Sequence, residues 1–387
     1  MNVSRFIIRI VVMCIFTFSG FSSLADSPGW APRFVIERLA GNPLITPAMF
    51  EEAGLTGRRE GGNINGPSLI RVPDWLPPEE RADPRAEYYL YFANHAGHYI
   101  RLAWAEQIDG PYTLYNPGAG VLSLLHDPSR LHPDTRVDHR IILPIADDMA
   151  IEDHIASPDV HVDDESQRII LLFHGMEGSP GEEGRFPYQG PDGETWSRKS
   201  PQVTFAAVSR NGLDFNDGIL PFRFHQRPYL RAFQINGEWH GSTFTYLWRA
   251  PSARNLLAGG DWRRGGQLRP APGRHTAVRV GEDGVVTVFG SSWGETPEHI
   301  TCVSVKGVGQ VRPREYEQTE RFSLITPEKE WEGADLPLVE GERGAIWEPV
   351  HQLRDPAYFR DRDGSEYILY SLKGEYGIGI ARLIELE

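Results

Sequence analysis

The chain has 387 residues, with 39 Lys and Arg against 53 Asp and Glu, and its formal net charge of −14 argues against nucleic acid and anionic membrane surfaces as partners. Hydrophobic residues make up 40% and aromatics 11%, punctuated by 40 Gly and 30 Pro, a composition that fits a turn-rich β protein and not a long helical chain. No P-loop, dinucleotide fingerprint or G-x-S-x-G elbow occurs, which argues against nucleotide chemistry and that kind of serine hydrolase.

Residues 1–25 read as a cleavable signal peptide. Arg5 and Arg9 precede the apolar run Ile10 to Phe18, and small residues lead to Ser23-Leu24-Ala25. Arg9 leaves too short an apolar stretch for a spanning helix, so the expectation is a periplasmic or secreted protein, with no membrane partner after cleavage. Cys14 lies inside that signal and Cys302 in the apolar run Ile300 to Val305, so the mature chain is expected to hold one buried thiol and no internal disulfide.

Residues 26–62 read as a proline-containing lead-in with one short helix over Pro47 to Ala53. Residues 63–387 then repeat one order of signals: a polar corner, an apolar strand, a glycine turn and an aromatic-rich strand. The first unit starts at Asn63-Ile64-Asn65-Gly66-Pro67 and continues through Tyr88 to Phe92 and Tyr99 to Ala105. The second starts at His154-Ile155-Ala156-Ser157-Pro158-Asp159-Val160-His161 and is expected to carry a long loop, Gly175 to Ser200. The third starts at Arg227-Pro228-Tyr229, the fourth at Arg274-His275-Thr276, and the fifth at Arg354-Asp355-Pro356. Five antiparallel meanders predict an all-β, five-bladed β-propeller in a single domain, with a double β-sandwich as the alternative.

The corners are the candidate site. When the prolines are aligned, His275 falls at the proline position of the fourth unit. Asp355 stands one before a proline and Asp159 one after, and in a regular strand residues two apart share a face. Both aspartates are therefore expected to face the central channel, with Asn65, His161, Arg231 and Arg354 near the same mouth. The plainer role for an aspartate beside a turn is to cap it. The histidines at or near corners, His154, His161 and His275 among them, lack tight metal-ligand spacing, so no metal and no cofactor is assigned; a structural calcium or sodium ion is compatible with the channel without being specified. Arg227, Arg231, Arg274 and Arg354 recur at corners of an acidic chain. They suit recognition of an acidic sugar, and equally the neutralisation of the channel's own carboxylates. Trp239, Trp248, Trp293 and Trp347 could stack on sugar rings or pack between blades.

The corner motifs Ser157-Pro158-Asp159-Val160-His161 and Arg354-Asp355-Pro356-Ala357, with the blade ending Ser209-Arg210-Asn211-Gly212-Leu213-Asp214-Phe215, resemble those of the five-bladed-propeller glycoside hydrolases, the clan of families 43, 32 and 117. The resemblance touches all five units. It implies an exported enzyme acting on a poly- or oligosaccharide, with Asp355 as base or nucleophile and Asp159 orienting a partner and tuning its pKa. Two departures accompany it. Gly66 stands at the first corner where the pattern carries its base, and the third unit has no inward Glu, which leaves Glu298, Glu348 or His275 as acid candidates. Substrate contacts are expected from Asn65, His154, His161, Tyr229, Arg231, Arg274 and Arg354. A carbohydrate-binding propeller without activity, or a lyase using His and Tyr229 or Arg on a uronate, are the readings that compete.

Overall fold

The computed structural model describes residues 28–386 except 57–60, 96, 98, 119, 124–141, 147–148, 181–186, 190–194, 216–221, 253 and 258–260. The signal-peptide reading falls outside the described residues, and among them no helix is long and apolar enough to cross a membrane. Five antiparallel sheets form the five blades of a propeller.

Blade 1 runs in sheet order Asn65–Arg71, Tyr88–Ala93, Tyr99–Ala105 and Thr113–Tyr115. Blade 2 is built on Met149–Asp163, Arg168–Pro180 and Thr195–Ser209. Blade 3 starts from Arg231–Ile235, blade 4 from Thr276–Val280 and blade 5 from Arg354–Arg360. The first strands of the five blades are neighbours around the central channel: Val160 N–H donates to Ser68 Oγ across blades 1 and 2 at 3.0 Å, and Ala232 N–H to Asp159 Oδ2 across blades 2 and 3 at 2.8 Å.

Two expectations are corrected here. The lead-in supplies a strand, Arg33–Arg38, which pairs antiparallel with Ile378–Leu386 and becomes the outer edge of blade 5. The propeller therefore begins at Arg33, not at Asn63, and its last blade is joined from both ends of the chain. A strand paired across 343 to 353 positions (381 − 38 and 386 − 33) has no signal in its own neighbourhood. The expected loop over Gly175 to Ser200 is largely a hairpin extension, with Trp196 opposite Pro180. Its Gly, Glu and Pro content hides the strand pattern. The short helix forms at Pro47–Glu52, where Pro47 occupies a first-turn position that needs no N–H donor and Phe50 is buried.

The side-chain alternation of each strand explains the ring. In blade 1, Tyr89 and Tyr91 pack with Phe173 and Phe205 of blade 2, while Leu90 and Phe92 pack with Leu369 and Ile380 of blade 5. Three further apolar clusters fill the remaining interfaces: Leu172 with Leu230 between blades 2 and 3, Phe233 with Val288 between blades 3 and 4, and Phe289 with Tyr370 between blades 4 and 5. A strand apolar on both faces packs against a neighbouring blade on either side, so the blades stack around an axis. Cys302 is buried in the blade 4–5 cluster, and burial pushes its thiol up to about 12, which suits an inert filler.

Candidate active site at the strand-start corners

The register slips in three of the inner strands, at the start of those of blades 1 and 5 and midway along that of blade 2: between Asn65 and Ser68, between Arg354 and Ala357, and between Ala156 and Asp159. One residue in each slip has left-handed φ: Gly66 at 59°, Ser157 at 52° and Asp355 at 49°. Tyr229 adopts the same conformation, at 59°, two residues before the strand of blade 3. For three non-glycine residues this backbone is strained by roughly 1–3 kcal/mol each, a cost that tends to gather at functional sites.

These slips correct the corner alignment. The first cavity-lining residues of the five inner strands are Ser68, Asp159, Arg231, Ala277 and Ala357. Counting back two places gives Gly66, Ser157, Tyr229, His275 and Asp355 as equivalent positions. Leu230 and Thr276, not Pro228 and His275, thus stand where the other blades carry proline. Because a left-handed residue interrupts the extended strand, the rule that residues two apart share a face fails at this point. Asp159 lines the channel, whereas Asp355 is turned to the corner cluster.

At that cluster Asp355 Oδ1 lies 3.2 Å from His275 Nδ1, and Ser157 Oγ lies 3.2 Å from His275 Nε2 and 3.3 Å from Nδ1. Equal distance to both ring nitrogens places the hydroxyl over the ring face. Tyr229 packs on His275 with ring centroids 4.3 Å apart and on His174 at 4.1 Å, and the rings continue from His174 to His154 and from His154 to His95, each 4.9 Å apart. Behind them is a buried ion network. Glu298, fully buried, pairs with Arg274 Nε at 2.6 Å and Arg354 Nε at 3.1 Å and accepts from Ser291 Oγ at 2.7 Å. Glu375 accepts from Asn63 and Asn65 Nδ2 at 2.5 and 3.1 Å and lies 3.5 Å from Arg354 Nη1 and 3.7 Å from His95 Nδ1.

This environment drives two carboxyl groups apart. Burial, with the negative charges of Glu375 and Glu298, pushes Asp355 up to about 7 against the opposing pull of Arg274 and Arg354. Burial would raise Glu375 as well, but His95, Arg354 and Asn63 outweigh it and hold the group at about 2. His275 is held well below its ordinary value by burial and by the cations Arg231 and Arg274, so it is a neutral imidazole near pH 7.

Asp159 has a different setting. It accepts from Ala232 N–H, lies 2.9 Å from His161 Nε2 and 3.7 Å from Arg231 Nη1, and these outweigh burial to lower its pKa. With Arg231 and His161 it lines a channel cavity of about 560 Å³ whose walls are the five inner strands. Trp239 packs against His161, with centroids 5.5 Å apart. Arg231 also donates to the carbonyls of Pro158 and Thr276, so its guanidinium bridges blades 2, 3 and 4.

The structure therefore brings Asp355, His275, Tyr229, His154, Glu298, Arg274, Arg354 and Asn65 to one end, and gathers Asp159, His161 and Arg231 along the channel wall. Arg231, Arg274 and Arg354 face the molecule's own acids and carbonyls, the plainer of their two expected roles. Sequence reading missed Ser157, His95, His174 and Glu375. His95 follows the second strand of blade 1, Glu375 follows the second strand of blade 5, and His174 lies within the second strand of blade 2, opposite Ala156 beside the register slip. In an antiparallel meander the second strand finishes where the first began, as Arg354 opposite Ser371 attests. Reading the ends of second strands beside the starts of first strands would have found His95 and Glu375; His174 needs the register of the longer blade 2 hairpin. Among the described residues no group of three or more His, Cys, Asp or Glu side chains is arranged to hold a metal ion.

No family model matches the chain. It is 27% identical over 345 residues to the uncharacterised protein R118 of Acanthamoeba polyphaga mimivirus, covering 83% of each chain. Among solved structures it is similar to a glycosyl hydrolase from Bacteroides ovatus (TM-score 0.51, 12% identity, 92% of this chain and 95% of that one). It is also similar to a glycoside hydrolase candidate from Parabacteroides distasonis (TM-score 0.51, 11% identity, 90% and 96%). A glycosidase candidate from Bacteroides thetaiotaomicron gives 0.50 at 9% identity over 90% and 96%. At these identities the likeness is one of fold.

Proposed function

We propose that this chain hydrolyses glycosidic bonds of a poly- or oligosaccharide at the corner cluster, as an exported enzyme, with Asp355 as the base that takes the proton of the attacking water while the departing glycosidic oxygen takes its proton from solvent. The observation that carries the reading is the placement of Asp355, buried on left-handed backbone 3.2 Å from His275 and backed by the Glu298–Arg354–Glu375 network, where burial and the neighbouring carboxylates push its pKa up. A base is most effective when its pKa lies near the working pH, and a fixed neighbouring carboxylate is a means of setting it there. In this reading Glu375 takes the tuning role that the family resemblance assigned to Asp159. His275 orients Asp355 through their 3.2 Å contact. Glu298 is clamped between Arg274 and Arg354 and fully buried, out of reach of a bound glycan.

The test is release of reducing sugar by the full chain from a panel of neutral, uronate and sulfated glycans, beside Asp355→Asn. Asparagine tolerates left-handed φ, so the corner backbone is kept. Loss of turnover in a folded variant, with wild-type kcat/KM rising as pH passes through about 7, is the expected result. Glycan binding without turnover in either protein would instead make this a carbohydrate-binding propeller.

One observation favours a second reading. Ser157, His275 and Asp355 form a contact chain, and Ser157 sits on strained backbone, as nucleophiles of acyl transfer do. The hydroxyl's place over the ring face, off the nitrogen lone pair, counts against it. Ester cleavage on an acetylated glycan that disappears in Ser157→Ala, with no glycosidic cleavage, would replace the first reading by this one.

A further inference from the structure

Trp293 and Arg343 stand together at the corner end. Trp293 follows the second strand of blade 4, Val286–Gly290, and so emerges beside the start of that blade's first strand. Trp293 is 46% exposed. Two guanidinium groups flank it, Arg274 at 5.9 Å and Arg343 at 5.7 Å from the ring centroid. The two loops are tied to each other: Gly294 N–H donates to Gly341 O at 2.7 Å, Gly341 N–H to Glu295 O at 2.8 Å, and Arg274 to the carbonyls of Glu342 and Gly344. Trp293 and Arg343 are thus held on a braced frame.

The two arginines differ. Arg274 is buried and committed to Glu298. Arg343 is exposed, and among the described residues neither a carboxylate nor a hydrogen-bond acceptor pairs with it. Its charge reaches the cluster all the same, since it opposes the raised pKa of the Tyr229 hydroxyl, and Tyr229 packs on His275. In a chain of net charge −14, a cation without a carboxylate partner beside an exposed indole calls for an external anion.

We infer that Trp293 and Arg343 form a subsite for an anionic sugar, the ring stacking on the indole and its carboxylate or sulfate meeting the free guanidinium. This deepens the glycosidase reading and rests on it for the carbohydrate class. A planar guanidinium takes either anion bidentately, so the shared chemistry is an oxyanion carried on a pyranose.

The experiment compares three oligosaccharides of equal length by titration calorimetry: an oligogalacturonate, a sulfated galactan and a neutral galactan. Each is titrated into the full chain, into Arg343→Gln and into Trp293→Ala, with turnover followed in the same samples. At least one anionic ligand should bind wild type about tenfold more tightly than the neutral one, and the margin should shrink with added salt. Arg343→Gln should abolish the margin, and Trp293→Ala should weaken charged and neutral ligands alike. The anion that keeps the margin in wild type, carboxylate or sulfate, identifies the source. A preference that survives Arg343→Gln, a tighter neutral ligand, or no glycan binding at all would overturn the inference. Turnover of the neutral glycan without anion preference sinks the subsite and leaves the proposed activity standing; anion preference without turnover does the reverse.

Discussion

Asp355 and Asp159 stand beside corner prolines in matching motifs, and the fold treats them in opposite ways. Asp355, before its proline, lies in the strained slip of blade 5, where burial and two nearby carboxylates raise it to about 7. Asp159, after its proline, is already in regular strand, where His161, Arg231 and a backbone N–H lower it. One is set up to exchange a proton near neutrality; the other is a permanent anion that joins blades 2 and 3. A carboxylate's sign of perturbation depends on what the corner turns it towards, and a single position in the strand decides that.

The comparison breaks most directly on activity. Asp355→Asn should lower kcat/KM on a cleaved glycan by about 10²–10⁴-fold, the usual worth of a general acid or base. Asp159→Asn should cost at most about tenfold; equal losses would mean that both aspartates act on the substrate. Next in size is the buried network behind Asp355. Arg354→Met leaves Glu298 and Glu375 short of a fully buried counter-charge and should cost about 3–5 kcal/mol in urea unfolding. The link behind Asp159 should be weaker: Asp159→Asn should cost about 1–3 kcal/mol in the same measurement, the value of hydrogen bonds to one charged group.

The finest distinction is the pH dependence of stability, which should have opposite signs at the two sites. Asp355 has a folded-state pKa above its ordinary 3.8, so its contribution is fully present below that value and is lost as pH rises through about 7. Wild type should therefore lose ground to Asp355→Asn between pH 4 and 7. Asp159 has a lowered pKa, so its contribution is present above 3.8 and is lost as pH falls through the folded-state value. Wild type should lose its advantage over Asp159→Asn on acidification. Melting temperatures of the three proteins from pH 3 to 8 would reveal either sign being wrong. Glu375, Glu298, Arg274, Arg354 and His275 all face Asp355, so the first slope belongs to that group of charges.

Much of the blade architecture was legible beforehand because it is written locally. Tyr88-Tyr89-Leu90-Tyr91-Phe92 is apolar at every position, and only a strand buried on both faces has use for that pattern, which here serves the blade 1–2 and blade 5–1 interfaces at once. The glycine turns expected between strands form with left-handed φ at Gly364 and Gly237, 86° and 73°. Arg33–Arg38 was not legible, because its partner lies at the other end of the chain. The arrival of the second strands at the corner end was in principle readable from the meander, but the partners of Glu375, Asn63 and Asn65, lie more than 300 positions away.

By itself, then, the sequence determined the period of the strands, the places of the turns and the polar residues gathered at the corners, all properties of near neighbours along the chain. Tertiary structure alone decided which way each corner residue points, since left-handed φ at Ser157, Tyr229 and Asp355 breaks the alternation from which direction is read. It also decided the ionisation of Asp355, because its shift arises from burial and from Glu375 and Glu298, charges whose spacing exists only once the ring has closed.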